Sequence, residues 1–154
     1  VLRLLLSCYM SVELPEYERA HIYVQQLESL LLEDEDLRLQ VGKFYIRWSI
    51  QLKMNRDINP DPIDEMLRQQ RYKELAQKGL DILERIKGRT HEIYYFLAQG
   101  YFNLWDYENA SSMITKAIRL CDEDPRYYHS YTYLRDLILK QQAKYSTSRE
   151  EYLD

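Results

Sequence analysis

Tyr94-Tyr95-Phe96-Leu97-Ala98-Gln99-Gly100-Tyr101, followed after a short break by Asp106-Tyr107-Glu108-Asn109-Ala110, is the stretch on which the fold turns. Apolar and small residues return at steps of three and four, the period of a helix with one buried face. The second half continues with Ile114 and Ala117, seven and ten residues after Tyr107. Ala98 is a small residue inside an apolar helical run, which lets two helix backbones approach closely. The stretch therefore predicts a helix pair over residues 91–125.

The pattern occurs twice more. Glu16-Tyr17-Glu18-Arg19-Ala20 and Arg71-Tyr72-Lys73-Glu74-Leu75 open helices in the same way, and Val24 with Leu27, then Gly79 with Ile82, repeat the offsets of seven and ten. Cys8 and Gly42 are the earlier counterparts of Ala98. Nine residues separate Cys8 from Tyr17 and Ala98 from Tyr107, but thirty separate Gly42 from Tyr72, so the middle unit carries 21 additional residues. With those set aside the period closes. Cys8 to Gly42 is 34 residues, Tyr72 to Tyr107 is 35, and Gly42 to Ala98 shortens from 56 to 35.

A helix–turn–helix period of about 34 residues is that of the tetratricopeptide family, and the third unit resembles it most fully. Tyr94, Leu97, Ala98 and Tyr101 stand on its first helix, Tyr107, Ala110, Ile114 and Ala117 on its second, with Pro125 beyond. The first unit matches through Leu4, Cys8, Tyr17, Ala20, Val24 and Leu27. The second matches through Val41, Gly42, Tyr45, Tyr72 and Ile82, and departs at Leu75, where the family prefers alanine. Trp105 stands where the family usually has a turn glycine. The resemblance covers roughly residues 1–48 and 72–125. It implies an all-α solenoid of antiparallel helix pairs in a right-handed superhelix, a single domain over residues 1–145. Its repeats would span about 1–34, 35–89 and 91–125.

Two segments complete that layout. Tyr128, Tyr131, Leu134, Leu137 and Ile138 predict a capping helix over residues 127–145, covering the last repeat as a solenoid requires; residues 146–154 read as a polar tail that frays. The insertion, about residues 50–70, begins with Phe44, Trp48, Ile50, Leu52 and Met54 carrying the preceding helix past its usual end. Asn59-Pro60-Asp61-Pro62 is turn chemistry, with Asp61 as N-cap and Pro62 as first helical residue. The next helix is expected to run to about Lys87 with Gly88 as its C-cap. The middle unit thus predicts a long protruding helical hairpin. It either braces its neighbours or offers a second contact surface through Leu52, Met54, Ile58, Ile63 and Met66.

Composition narrows the function. Only four glycines and four prolines, and no alternating Val, Ile and Thr, leave a chain that reads as nearly all helix. Net charge is −4, with basic residues dispersed apart from Arg85, Lys87 and Arg89, so nucleic acid is not an expected partner. Fifteen tyrosines on an acidic helical chain suit helix packing or a protein-binding groove. Cys8 and Cys121 read as free thiols in a reducing compartment, and an intracellular location, cytoplasmic or nuclear, is expected. No apolar run reaches the roughly 18 residues that span a bilayer, and Leu4-Leu5-Leu6 is too short for a signal peptide. Val1 opens directly in a helical pattern without an initiator Met, and an excised fragment is expected.

No catalytic constellation emerges. His21, His91 and His129 are dispersed without metal-ligand spacing, neither cysteine has a base signature beside it, and phosphate loops and nucleophile elbows are absent. Neither enzyme activity nor a cofactor is expected. Glu33-Asp34-Glu35-Asp36 lacks the interleaved donors of a calcium loop and suits a helix start.

The resemblance implies that the first helix of each pair lines a concave groove holding a partner peptide or helix. By helical spacing that groove comprises Leu5, Tyr9 and Val12, then Leu39, Lys43 and Arg47, then Glu92, Tyr95, Gln99 and Asn103. Ile46 and Phe102 fall on the same projection and are expected to pack against neighbouring helices instead. The reading is an adaptor or scaffold that binds another protein. Two alternatives stay open: a self-assembling structural module, with homo-oligomers through Tyr9, Trp105 or the hairpin, and a tail-anchored mitochondrial-fission adaptor, which Phe96 to Tyr101 and Tyr107 to Ala110 partly resemble.

Overall fold

The computed structural model describes Leu4 and residues 16–29, 34–55 and 61–153. Among the described residues six helices of known bounds follow one another: α1 (Tyr17–Glu28), α2 (Glu35–Met54), α3 (Pro62–Leu83), α4 (His91–Asn103), α5 (Tyr107–Leu120) and α6 (Pro125–Leu153). Among the described residues there is no strand, and the fold is all-α. Cys8 and the groove positions Leu5, Tyr9 and Val12 lie outside the described residues, as does Ile58.

Short polar side chains fix where most helices begin. Asp34 accepts from the Leu37 amide, Asp61 from Ile63, Thr90 from Ile93 and Asp106 from Asn109; Asp124 accepts from Arg126 at the start of α6. Each satisfies a first-turn N–H that has no partner within the helix. The acidic run before α2 thus supplies the cap, Asp34, and two first-turn acids, Glu35 and Asp36, where the helix dipole favours them.

Two helix ends differ from the sequence expectation. Helix α3 stops at Leu83 with Glu84 as its C-cap, not at Lys87 and Gly88. Ile86 is 4% exposed and its amide donates to the Leu83 carbonyl, so the chain turns early to place that side chain in the core. Gly88 lies at a negative φ in open space. Helix α6 runs through the segment expected to fray, to Leu153. No proline or glycine follows Pro125 to break the helix, and Ser146, Thr147 and Ser148 are exposed yet helical; their polarity marks exposure, not loss of helix.

Contacts give the directions. Ser49 meets Tyr72, the Leu52 and Lys53 carbonyls meet Arg68, and Gly42 meets Leu83 at the other end, so α2 and α3 are an antiparallel hairpin. Helices α4 and α5 also run oppositely, with Phe102 against Tyr107 and Lys116 over Tyr94. Between α2 and α4 the numbers rise together, from Lys43–Glu92 through Arg47–Phe96 to Ser49–Asn103, so these two lie parallel. Helix α6 lies parallel beside α4, through His91–Tyr127 and Tyr95–Tyr131.

The core is handed along the chain in three groups. Tyr17, Val24, Phe44, Tyr45, Trp48 and Leu75 join α1 to the α2–α3 hairpin. Ile46, Leu80, Leu83, Ile86, Ile93 and Leu97 join that hairpin to α4. Ala98, Ala110, Ile114, Ala117, Tyr131 and Ile138 join α4, α5 and α6. The middle group packs closely because Gly100 faces it. A Cβ at Gly100 would stand 2.7 Å from Leu80 Cδ2 and 2.9 Å from Ile46 Cδ1, well inside the roughly 3.5–4.0 Å of a normal carbon contact.

Helix α4 ends in a left-handed turn. The Asp106 amide donates to the Tyr101 carbonyl and the Trp105 amide to that of Phe102, the paired bonds of a Schellman cap. The residue between them, Trp105, has φ 64. An L-residue there costs about 1–2 kcal/mol that glycine avoids. Asp122 and Glu123 (φ 50 and 58) make a second left-handed turn after α5.

Candidate interaction surfaces

The end of the α2–α3 hairpin is built around Arg68. Its guanidinium donates to the Leu52 and Lys53 carbonyls at 2.6 and 2.8 Å and holds Glu65 at 2.6 Å. Those carbonyls belong to the last turn of α2, where no intrahelical donor remains, so one cation both caps α2 and ties it to α3. Arg68 is 16% exposed at the side chain. Nearby Asp61 and Pro62 start α3 as expected.

Past the contacts of Trp48 with Tyr17 and of Lys53 with Asn103, the hairpin continues with its apolar side chains turned outward. Met54 is 77% exposed, Ile63 64%, Met66 63% and Leu67 55%, and Leu52 is half-buried against the first core group. Ile63, Met66 and Leu67 stand three and four apart, which places them on one face of α3. Leu67 was not singled out from sequence, although its spacing from Ile63 carried that signal.

The expected groove residues meet in the structure, but largely satisfy one another. Lys43 pairs with Glu92 and lies over the Phe96 ring. Arg47 is exposed, its guanidinium 5.4 Å from the same ring. Tyr95 is half-buried, stacked 4.6 Å from Tyr131, and accepts a hydrogen bond from the Gln99 amide; burial raises its phenol above the usual range against the opposing pull of Arg47. Leu39 packs against the middle core group. Ile46, on the same projection, is fully buried, and Phe102 is partly buried with Lys53 4.0 Å over its ring.

Asn103 is not on that surface. At 2% exposure it donates to Ser49, which donates to the Tyr72 carbonyl, and it accepts from Lys53. This chain ties α2, α3 and α4 together. Helical projection assigned Asn103 to the groove side, yet the long α2 reaches far enough for Ser49 and Lys53 to enclose it.

Most of the remaining chemically notable residues contact neighbouring side chains. His21 sits among Phe44, Tyr45 and Trp48, with ring centroids 5.1–6.4 Å away. Burial holds its imidazole below the ordinary value, helped by Lys78 and Arg71. His91 Nδ1 lies 2.7 Å from the Tyr131 hydroxyl, and His129 is exposed. Buried Cys121 donates to the Ile118 carbonyl. Tyr101 donates to Glu84, and burial together with that bond pushes its phenol up to about 12. Among the described residues no three His, Cys, Asp or Glu side chains come together as metal ligands, and no helix is long and apolar enough to cross a membrane. No family model matches the chain, and no curated protein or solved structure matches it.

Proposed function

We propose that this chain is a non-enzymatic, protein-binding module of stacked helix pairs, akin to the tetratricopeptide family, whose partner docks on the end of the α2–α3 hairpin. The observation that carries the docking surface is the exposure of Met54, Ile63, Met66 and Leu67 at the end of the hairpin. Exposed apolar clusters on helical scaffolds mark contact sites, and methionine adapts to the ridges of a partner helix. The repeat reading is supported by the parallel run of α2, α4 and α6, by the antiparallel partners α3 and α5 of the first two, and by a core passed between neighbours in three groups.

A second reading places the partner along α2 and α4. Arg47, exposed over an aromatic ring, favours it; the mutual pairing of Lys43, Glu92, Tyr95 and Gln99 weakens it.

Affinity purification with three proteins decides between them: wild type, a hairpin-end variant (Met54→Ser, Ile63→Ser, Met66→Ser, Leu67→Ser) and Arg47→Glu. Loss of wild-type partners in the first variant alone is expected. Loss in Arg47→Glu alone moves the site to the groove. A concentration-dependent change in mass by light scattering, abolished in the hairpin-end variant, makes a second copy the occupant.

A further inference from the structure

A cleft of about 690 Å³ opens between the α4–α5 turn and residues 142–146 of α6, far along the chain from the hairpin end. Trp105, Tyr107 and Tyr145 give it aromatic walls, and Asp106 and Glu108 give it carboxylates. No lysine or arginine lines it. Trp105 is 47% exposed and Tyr145 65%.

Two observations say what such walls hold. Trp105 occupies a left-handed turn position that glycine would take without strain, so the backbone tolerates strain to keep an indole at the surface; strain of this kind gathers at functional positions. The indole also already attracts a cation, since Lys73 Nζ lies 3.5 Å from its ring centroid. Asp106 is engaged by Asn109, and Glu108 is exposed at the cleft. Aromatic faces beside a carboxylate are the chemistry that recognises a guanidinium or ammonium group.

We propose that this cleft is a docking site for a basic segment of another protein, an arginine or lysine of which stacks on Trp105 or Tyr145 with its charge toward Glu108. It is a second site, independent of the hairpin end. A basic side chain there gives a use to the tryptophan at the turn and to the exposed Tyr145 of α6, which line the same cleft.

The test is fluorescence anisotropy of a labelled penta-arginine amide and a glycine–serine peptide of equal length. Trp105→Gly suits the turn and preserves the fold, and Tyr145→Ser and Glu108→Gln alter exposed side chains only. Each is expected to weaken penta-arginine binding threefold or more, while Asp81→Asn, an exposed charge removed elsewhere on α3, changes it less than twofold. Equal losses in Glu108→Gln and Asp81→Asn would reduce the effect to overall charge and overturn the proposal. Unchanged affinity in Trp105→Gly, or equal binding of the glycine–serine peptide, overturns it as well. So does dimerisation of the wild type that Trp105→Gly abolishes, which gives the cleft to a second copy.

Discussion

Replacing Gly100 with alanine sets two effects of opposite sign against each other. Gly100 lies in the last turn of α4, and alanine favours a helix over glycine by at most about 1 kcal/mol. Its methyl, however, would lie 2.7 and 2.8 Å from Leu80 Cδ2 and Cγ and 2.9 Å from Ile46 Cδ1. Leu80 and Ile46 are 1% and 0% exposed, so neither can swing into solvent, and α4 must move away from the α2–α3 hairpin. Overpacking of a tight core costs about 1–3 kcal/mol, and the contact on two buried side chains at once belongs at the upper end. A net loss of about 1–2 kcal/mol is expected, a fall in Tm of about 3–6 °C at this chain length. Gly88→Ala is the matched control. Nothing lies within 4 Å of a Cβ there and its φ is negative, so alanine should gain about 0.4–1 kcal/mol by restricting the unfolded chain. Urea unfolding followed by far-UV circular dichroism measures both. If Gly100→Ala equals or exceeds the wild type in stability, the close contact of α4 with the hairpin is wrong.

Two further outcomes follow from the geometry. Arg68→Ala removes two charged bonds to the last carbonyls of α2 and the pairing with Glu65; hydrogen exchange should quicken at the hairpin end, with a loss of about 2 kcal/mol and α4 to α6 unaffected. Arg68→Lys should restore only part, because an ammonium lacks the planar fork. The half-buried His21 makes stability fall in acid. Its folded pKa is lowered, chiefly by burial, so the unfolded chain takes the proton first; the contribution is complete above the unfolded value of about 6.5 and declines as pH drops below it. His21→Phe should flatten that part of the pH profile in thermal melts, and an unchanged slope would assign it to other groups.

Local rules made much of this fold legible. Tyr17 and Tyr107, read as helix openers, are the first residues of α1 and α5, and Asp61 with Pro62 starts α3. What local rules missed depended on packing between helices. Ile86 ends α3 early because the core draws it in, and Asn103 is buried because α2 is long enough to present Ser49 and Lys53 to it. The hairpin-end surface was readable in Met54, Ile63 and Met66, whereas Arg68, which holds that end together, reads in sequence as one charged residue among many. Trp105 reads in sequence as a departure at a turn, but its positive φ, its contact with Lys73 and the cleft beside it exist only in three dimensions.

The docking of a partner on the hairpin end is tested most directly by site-specific photo-crosslinking in cells. A benzophenone amino acid replaces Met66 on the exposed apolar face, Arg47 on the groove side, or the exposed Gln77 farther along α3. Adducts to another protein from position 66, with none from 47 or 77, are expected. Adducts from position 47 with none from 66 would contradict the account and return the binding surface to the groove.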